Sequence, residues 1–302
     1  MKGIDITNPI FNDEDEARKY LERLRWPEGV VCPHCGHKGD HYELHAKKDS
    51  DKPVRRGVWK CRKCRKQFSV TVGTIFERSH IPLHKWLLAT FLICSSKKGM
   101  SSHQIHRMLK VTYKTAWFMT HRIRYAMKPQ ADMPKLKGIV EADETYVGGK
   151  ARGKRGRGAE NKVPVFSLVE RSGNVISTPV ERVTGKNLKA IMRERVDKSS
   201  IIMTDDFKSY TGVDHEFAEH HVINHSSKEY VRGEIHTNTI EGYFSLLKRG
   251  IIGVYHHVGR QHLHRYLSEF DFRYNRRRID DVGRSKSALI GIEGKRLLYR
   301  DS

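Results

Sequence analysis

"GIVEADETYVGG" (residues 138–149) sets the reading of the whole chain. Ile139, Val140 and Ala142 predict a strand anchored in a sheet, and Gly148 and Gly149 predict a turn at its end. Three carboxylates, Glu141, Asp143 and Glu144, stand inside that strand. Side chains alternate across a strand, so Glu141 shares a side with Asp143 while Glu144 faces away. A second apolar run, Ile201 to Met203, ends at Asp205 and Asp206, so two strands can bring acids to one edge of a sheet. Glu241 lies in a helical stretch whose buried stripe is Ile240, Phe244, Leu247 and Ile251, with Glu241, Ser245 and Lys248 on the adjacent face. Acids gathered at one place repel unless cations hold them, and oxygen ligands suit Mg²⁺ or Mn²⁺. Two such ions can activate the attacking oxygen and stabilise the leaving oxygen in phosphoryl transfer. Taken alone, these acids are better read as solvated strand-end groups or helix caps, and only their context reverses that preference.

Charge supplies the context. The 302 residues hold 57 Lys and Arg against 35 Asp and Glu, a formal net charge of +22. Such an excess points to a polyanionic partner, of which nucleic acid is the commonest. The basic surface would bind the phosphate backbone, and the acids would hold ions that act on it. The N-terminus lacks a basic run followed by an apolar one, and no segment approaches about 18 uninterrupted apolar residues. A soluble, cytoplasmic protein with no membrane partner is expected.

Towards the N-terminus, residues 12–29 read as a short amphipathic helix that stops before Pro27. Cys32 and Cys35 then form one C-x-x-C pair, and Cys61 and Cys64 a second. Two such knuckles complete a closed four-thiolate site for Zn²⁺. The gap between the pairs is longer than usual, and a redox dithiol is the alternative. His34, His37, His41 and His45 are surplus to an ion that four cysteines already satisfy. Cys94 falls on the apolar face of a later helix with Leu83, Leu87 and Phe91, as a core thiol.

Residues 101–127, "SSHQIHRMLKVTYKTAWFMTHRIRYAM", predict two helices broken around Lys110 and Val111, with Ser101 and Thr112 as caps. Ile105, Leu109, Val111, Ala116, Met119 and Ile123 can share a small core. That leaves Tyr113, Lys114, Thr120, His121, Arg122 and Arg124 for other faces, a set able to meet DNA as in a helix-turn-helix. Packing between domains is the other reading of this hairpin. Beyond a proline-marked linker come three consecutive strands, a helix, two more strands and the Glu241 helix. This succession predicts an α/β fold around one mixed sheet. The expected regions are an N-terminal helix (1–28), a zinc ribbon (29–78), a helix-turn-helix-like region (79–130) and a catalytic domain (136–290).

These pieces together resemble a known family, the prokaryotic insertion-sequence DDE transposases with an N-terminal zinc ribbon and a ribonuclease H-like catalytic domain. The matching stretches are "RWPEGVVCPHCG", "WKCRKCRKQFSVTVGTIF", "KTAWFMTHRIRYAM", "EADETYVGG", "TDDFKSY", "HTNTIEGYFSLLKRGIIGVYHHV" and "HLHRYLSEFDFRYNRR", spanning about residues 26–278. The resemblance implies that Asp143, Asp205 and Glu241 form a metal-binding triad, since the gap from Asp205 to Glu241 has a length such triads often show. It also implies a DNA-facing role for Lys248. Relatives often carry glycine at the place of Asp206, which favours Asp205 as the ligand. Some use asparagine as the third member, which keeps Asn238 as a rival.

Glu141 is a candidate accessory acid or a salt-bridge partner. His236 either touches the site or packs and caps beside it. The basic, glycine-rich tip after the first strand, with Lys150, Arg152, Lys154, Arg155 and Arg157, reads as a segment that tracks DNA phosphates or as a solvated hairpin end. The expected activity is cleavage and strand transfer on double-stranded DNA, with Mg²⁺ or Mn²⁺ and Zn²⁺ as cofactors. A homo-oligomer that pairs two DNA ends is expected from the resemblance. A zinc-ribbon regulator that only binds DNA, and a ribonuclease H-like nuclease that cuts without joining, remain the alternatives.

Overall fold

Residues 4–45, 56–129, 133–149, 161–223, 231–233 and 235–299 are described by the structure, a computed structural model of the chain. The chain divides into two units, one made of Met1–Met127 with Ile279–Ser302 and the other of Lys128–Arg278. In the first unit, helix α1 (Glu14–Arg25) is capped by the Asp13 side chain, which accepts the Glu16 N–H. Three acids in its first turn and Arg23 and Arg25 in its last complement the helix dipole. Strands β1 (His41–Glu43), β2 (Val58–Cys61) and β3 (Gln67–Ser69) form a small antiparallel sheet beside the cysteine pairs.

Helix α2 (Leu83–Ser95) starts directly after Pro82 and buries Leu83, Leu87, Phe91 and Cys94. Helices α3 (Ser102–Leu109) and α4 (Tyr113–Met127) follow, separated by Lys110 in a left-handed conformation at φ 53°. Ser101 accepts from the Gln104 N–H and Thr112 from the Thr115 N–H, as the capping signals predict. Ile105, Leu109, Ala116, Met119 and Ile123 are buried, and Val111 is half-buried.

The second unit is built on a five-stranded sheet of order β6-β5-β4-β7-β8. Strand β4 (Ile139–Gly148) pairs antiparallel with β5 (Lys162–Glu170), which pairs antiparallel with β6 (Val175–Pro179). Gly148 ends β4 where a Cβ would collide with the Asn161 carbonyl oxygen, so only glycine lets the two strands meet there. After helix α5 (Gly185–Arg195), β7 (Ile201–Asp205) runs parallel to β4 on its other side, and β8 (Glu219–Ile223) runs parallel to β7. Three antiparallel strands extended by two parallel ones give the mixed sheet of a ribonuclease H-like fold.

A short hairpin, β9 (Val231–Arg232) and β10 (Ile235–His236), leads into α6 (Asn238–Gly250). That helix runs on into a π turn, Ile251–Tyr255, before α7 (Leu263–Asn275). Both faces of the sheet are covered. Val140, Ala142, Phe166, Leu168 and Ile202 pack with Leu188 and Met192 of α5. Val165, Val169 and Val175 pack with Ile240, Phe244 and Leu247 of α6 and Leu267 and Phe270 of α7. Each of these side chains larger than alanine contributes about 1.5–3 kcal/mol on burial. The alternation along β4 therefore sends Val140 and Ala142 towards α5, and it sends Glu141 and Asp143 towards α6.

The last helix, α8 (Asp281–Ile290), packs in the first unit against α1, α2 and α4, whereas the sequence reading carried it with the catalytic domain to residue 290. Its Arg284 donates to the Cys94 carbonyl at 3.1 Å. Among the described residues, no helix is long and apolar enough to cross a membrane.

Candidate active site

The parallel pairing of β4 with β7 matches Ile139 to Ile201 and Glu141 to Met203. The same offset carries Asp143 level with Asp205, so two neighbouring strands present two acids side by side. Asp205 ends β7 and accepts the Phe207 N–H at 3.1 Å. Glu241, in the first turn of α6, completes the group. One cleft of about 630 Å³ is lined by Asp143, Glu144, Thr145, Asp205, Glu241, Phe244, Ser245, Lys248 and Arg249. Three elements thus bring the three acids singled out in the sequence to one opening, with two cations on the helix side of it.

The electrostatics of the cleft are unbalanced. Burial, together with the charges of Asp205, Glu144 and Glu241, pushes the Asp143 carboxyl up to about 8 against the favourable Glu144 N–H. A hard divalent cation is the group that relieves such an acid cluster, and an all-oxygen donor set suits Mg²⁺ or Mn²⁺.

The neighbouring candidates separate by position. Asp206 is exposed and does not line the cleft. Asn238 is the exposed first residue of α6, with its N–H 3.4 Å from His236 Nδ1, and it too stays off the cleft. Lys248 lines the cleft about two turns beyond Glu241. His236 does not line the cleft; its ring nitrogen stands 3.1 Å from Arg171 and 3.4 Å from Glu141. Glu141 is fully buried and ion-paired to Arg171 at 2.8 Å, the salt-bridge role among its two readings. Glu144 turns its carboxylate to the buried Tyr210 hydroxyl at 2.9 Å, facing away as alternation requires, yet it also lines the cleft. Arg171 and Thr237 were not singled out in the sequence. A buried glutamate in an apolar strand calls for a cation, and the β4–β5 hairpin register supplies Arg171 opposite Ile139.

The ribbon cysteines form the second cluster. The sulfurs of Cys32, Cys35, Cys61 and Cys64 all lie within 4.8 Å of one another. Cys32 and Cys64 are 3.7 Å apart, and Cys35 and Cys61 3.8 Å. These separations are far too long for a disulfide, of about 2.05 Å, and they match the edge of roughly 3.8 Å of a tetrahedron with metal–sulfur bonds of about 2.3 Å. Each knuckle closes the same way. The Gly36 N–H bonds to the Cys32 carbonyl and the Arg65 N–H to the Cys61 carbonyl, with φ of 69° at Gly36 and 61° at Arg65. Cys94 sits apart in the core of α2, as expected.

The structure corrects two of the proposed DNA contacts. Arg122 and Arg124 are buried in α4, not presented on a free face. Arg122 donates to the carbonyls of Ile75 at 2.7 Å, Glu77 at 3.3 Å and Leu297 at 3.2 Å, and Arg124 donates to the Thr120 hydroxyl at 3.1 Å. Residues 279–299, returning from the far end of the chain, help enclose this helix, and Thr120 and His121 are buried with it. Lys114 is exposed, with its ammonium 4.6 Å from the Tyr299 ring. Lys150, Arg152, Lys154, Arg155 and Arg157 lie outside the described residues.

Comparison with known proteins identifies the family. An ISXO2-like transposase domain matches residues 135–275, and a transposase zinc-ribbon domain matches residues 12–67. The chain is 31% identical over 287 residues to an uncharacterized protein in transposable element ISH50 of Halobacterium salinarum, covering 87% of this chain and 91% of that one. It is also 30% identical over 105 residues to an uncharacterized transposase-like protein of Haemophilus influenzae, covering 35% of this chain and 84% of that one. With both domains matched in order and the ISH50 protein covered almost throughout, the chain belongs to the insertion-sequence transposases that join a zinc ribbon to an ISXO2-like transposase domain.

Proposed function

We propose that this transposase binds the double-stranded ends of its element, cleaves them and joins them to target DNA through a triad of Asp143, Asp205 and Glu241. The observation that carries the reading is the single cleft lined by these acids from two parallel strands and one helix, with Lys248 and Arg249 beside them. Divalent Mg²⁺ or Mn²⁺ held there would supply the positive charge that activates an attacking oxygen and stabilises a leaving one. The residues themselves divide the remaining work. Asp143 and Asp205 hold the ions from the rigid sheet edge, and Glu241 closes the site from α6. Lys248 and Arg249 bind phosphate oxygens of the DNA and orient the scissile strand. Water is the first nucleophile and the freed 3′-hydroxyl the second, and because both steps displace oxygen at phosphorus one site serves both.

Zn²⁺ on Cys32, Cys35, Cys61 and Cys64 is assigned a structural role, because four thiolates leave no open position. Lys114 and the basic 150–157 segment contribute DNA affinity, and two copies assemble on paired ends. The test is incubation of purified protein with labelled DNA carrying the element's ends and Mg²⁺ or Mn²⁺. Asp143→Asn, Asp205→Asn and Glu241→Gln should abolish cleaved and joined products, while Asp206→Asn should keep them. DNA binding without metal-dependent cleavage in the unmodified protein would refute the reading in favour of a regulator, and cleavage without joining would reduce it to a nuclease.

A further inference from the structure

Helix α6 carries Glu241 but has no side-chain cap of its own. Thr237 occupies the capping position without bonding an N–H of the first turn, and its hydroxyl instead donates to the Glu241 carboxylate at 3.2 Å. The cap comes from the sheet. Glu141 accepts the Ile240 N–H and the Thr239 hydroxyl, each at 2.9 Å, so a strand carboxylate satisfies the helix N-terminus and complements its dipole.

Arg171 ties this cap to the chain that enters the helix. Its Nε donates to Glu141 at 2.8 Å, its Nη2 donates to the His236 carbonyl at 2.9 Å, and its own backbone N–H bonds to Ile139 of β4 at 2.9 Å. The network therefore fixes the segment on both sides of Thr237: His236 through Arg171, and Thr239 and Ile240 through Glu141. A wholly buried carboxylate is expensive to place unless it is paired and bonded, and apolar side chains would pack a helix start as well. Here the Glu141 carboxylate bonds Thr239 and Ile240 in the turn that bears Glu241, while Arg171 pairs with it and reaches the chain just before that turn.

We propose that Glu141 and Arg171 are positioning residues that lock the start of α6 onto β4 so that Thr237 sets the Glu241 carboxylate relative to Asp143. This rests on reading Asp143, Asp205 and Glu241 as the acids that hold divalent ions. Donors to a ligand carboxylate commonly govern metal affinity by about 10–100-fold, so the effect is readable without DNA.

The test is calorimetric Mn²⁺ titration of the full-length, zinc-loaded protein, paired with hydrogen exchange of the first-turn amides of α6. Arg171→Gln and Thr237→Val should each weaken Mn²⁺ binding about tenfold or more, and Thr237→Ser should restore it to within about threefold. Arg171→Gln should also speed exchange at Ile240. Leu188→Ala, in the core on the opposite face of the sheet, should lower the melting temperature while leaving Mn²⁺ affinity within about twofold. If Arg171→Gln does not fold, Thr237→Val, which keeps the shape of the side chain, carries the measurement. Unchanged affinity in Thr237→Val beside a binding-competent unmodified protein overturns the positioning role alone. Equal weakening by Leu188→Ala overturns it too, by showing general loosening. An unmodified protein that binds no Mn²⁺ overturns the metal reading and this proposal together.

Discussion

The clearest physical consequence of the cleft is a pH dependence of stability traceable to Asp143. Its folded carboxyl titrates at about 8 instead of the ordinary 3.8, chiefly because burial disfavours its charge and secondarily because Asp205 faces it. The folded state therefore holds this proton more tightly than the unfolded chain. The resulting stabilisation is complete below about pH 4 and is lost as pH rises through about 8. Carried in full, a shift of about 4 units at about 1.4 kcal/mol each would amount to roughly 5–6 kcal/mol. Asp143 is only half-buried and opens on the cleft, so solvent screening leaves about 2–3 kcal/mol.

The perturbation is Asp143→Asn, which keeps the shape and removes the titration. Urea unfolding of the second unit would be followed in zinc-containing buffer without Mg²⁺ from about pH 5 to about pH 8.5. The unmodified protein should lose about 1.5–2 kcal/mol relative to the variant across that range, the part of the loss that lies above about pH 5. Mg²⁺ or Mn²⁺ at about 100 times its Kd should then return roughly 2.7 kcal/mol at the alkaline end to the unmodified protein alone. Parallel pH curves for the two proteins, differing by less than about 0.5 kcal/mol in slope across the range, would refute the reasoning, because Asp143 would then ionise near its ordinary value.

Four further outcomes are expected. Arg122→Met should cost the first unit about 2–4 kcal/mol in urea unfolding, because it strands the carbonyls of Ile75, Glu77 and Leu297; Lys114→Ala should change stability by under about 0.5 kcal/mol and lower the salt dependence of DNA binding by about one charge. Cys35→Ser, or zinc removal from the unmodified protein, should abolish hydrogen-exchange protection of β1 to β3, with re-addition of Zn²⁺ restoring only the latter; an intact ribbon in either case would exclude a structural metal. Burial pushes the Asp271 carboxyl up to about 6 while Tyr243 and Ser177 hold it down, so its contribution to stability fades between about pH 4 and about pH 6. Tyr243→Phe removes a donor to that carboxylate and should move the Asp271 titration, read by carbon NMR, to higher pH.

Local patterns proved legible where the physics is local. Capping at Ser101 and Thr112, the buried stripe of Ile240, Phe244 and Leu247, and the alternation of Val140 and Ala142 against Glu141 and Asp143 each need only a few neighbouring residues. The level placement of Asp143 beside Asp205 needed the parallel pairing of β4 with β7, which alternation cannot reveal, because a parallel partner arrives after a crossover of no set register.

Buried charges were the least legible, for one reason. Arg122 was read as a DNA contact because arginine is seldom buried unless paired, and its partners, the carbonyls of residues 75, 77 and 297, lie at chain separations no periodicity spans. Glu141 stayed undecided between accessory acid and salt bridge for the same cause, since Arg171 and the N–H of Ile240 reach it from two other elements. A charge near the surface is explained by its own neighbours and by water. A buried one is explained only by whichever distant group replaces that water, so its role follows from tertiary partners and not from the residue that carries it.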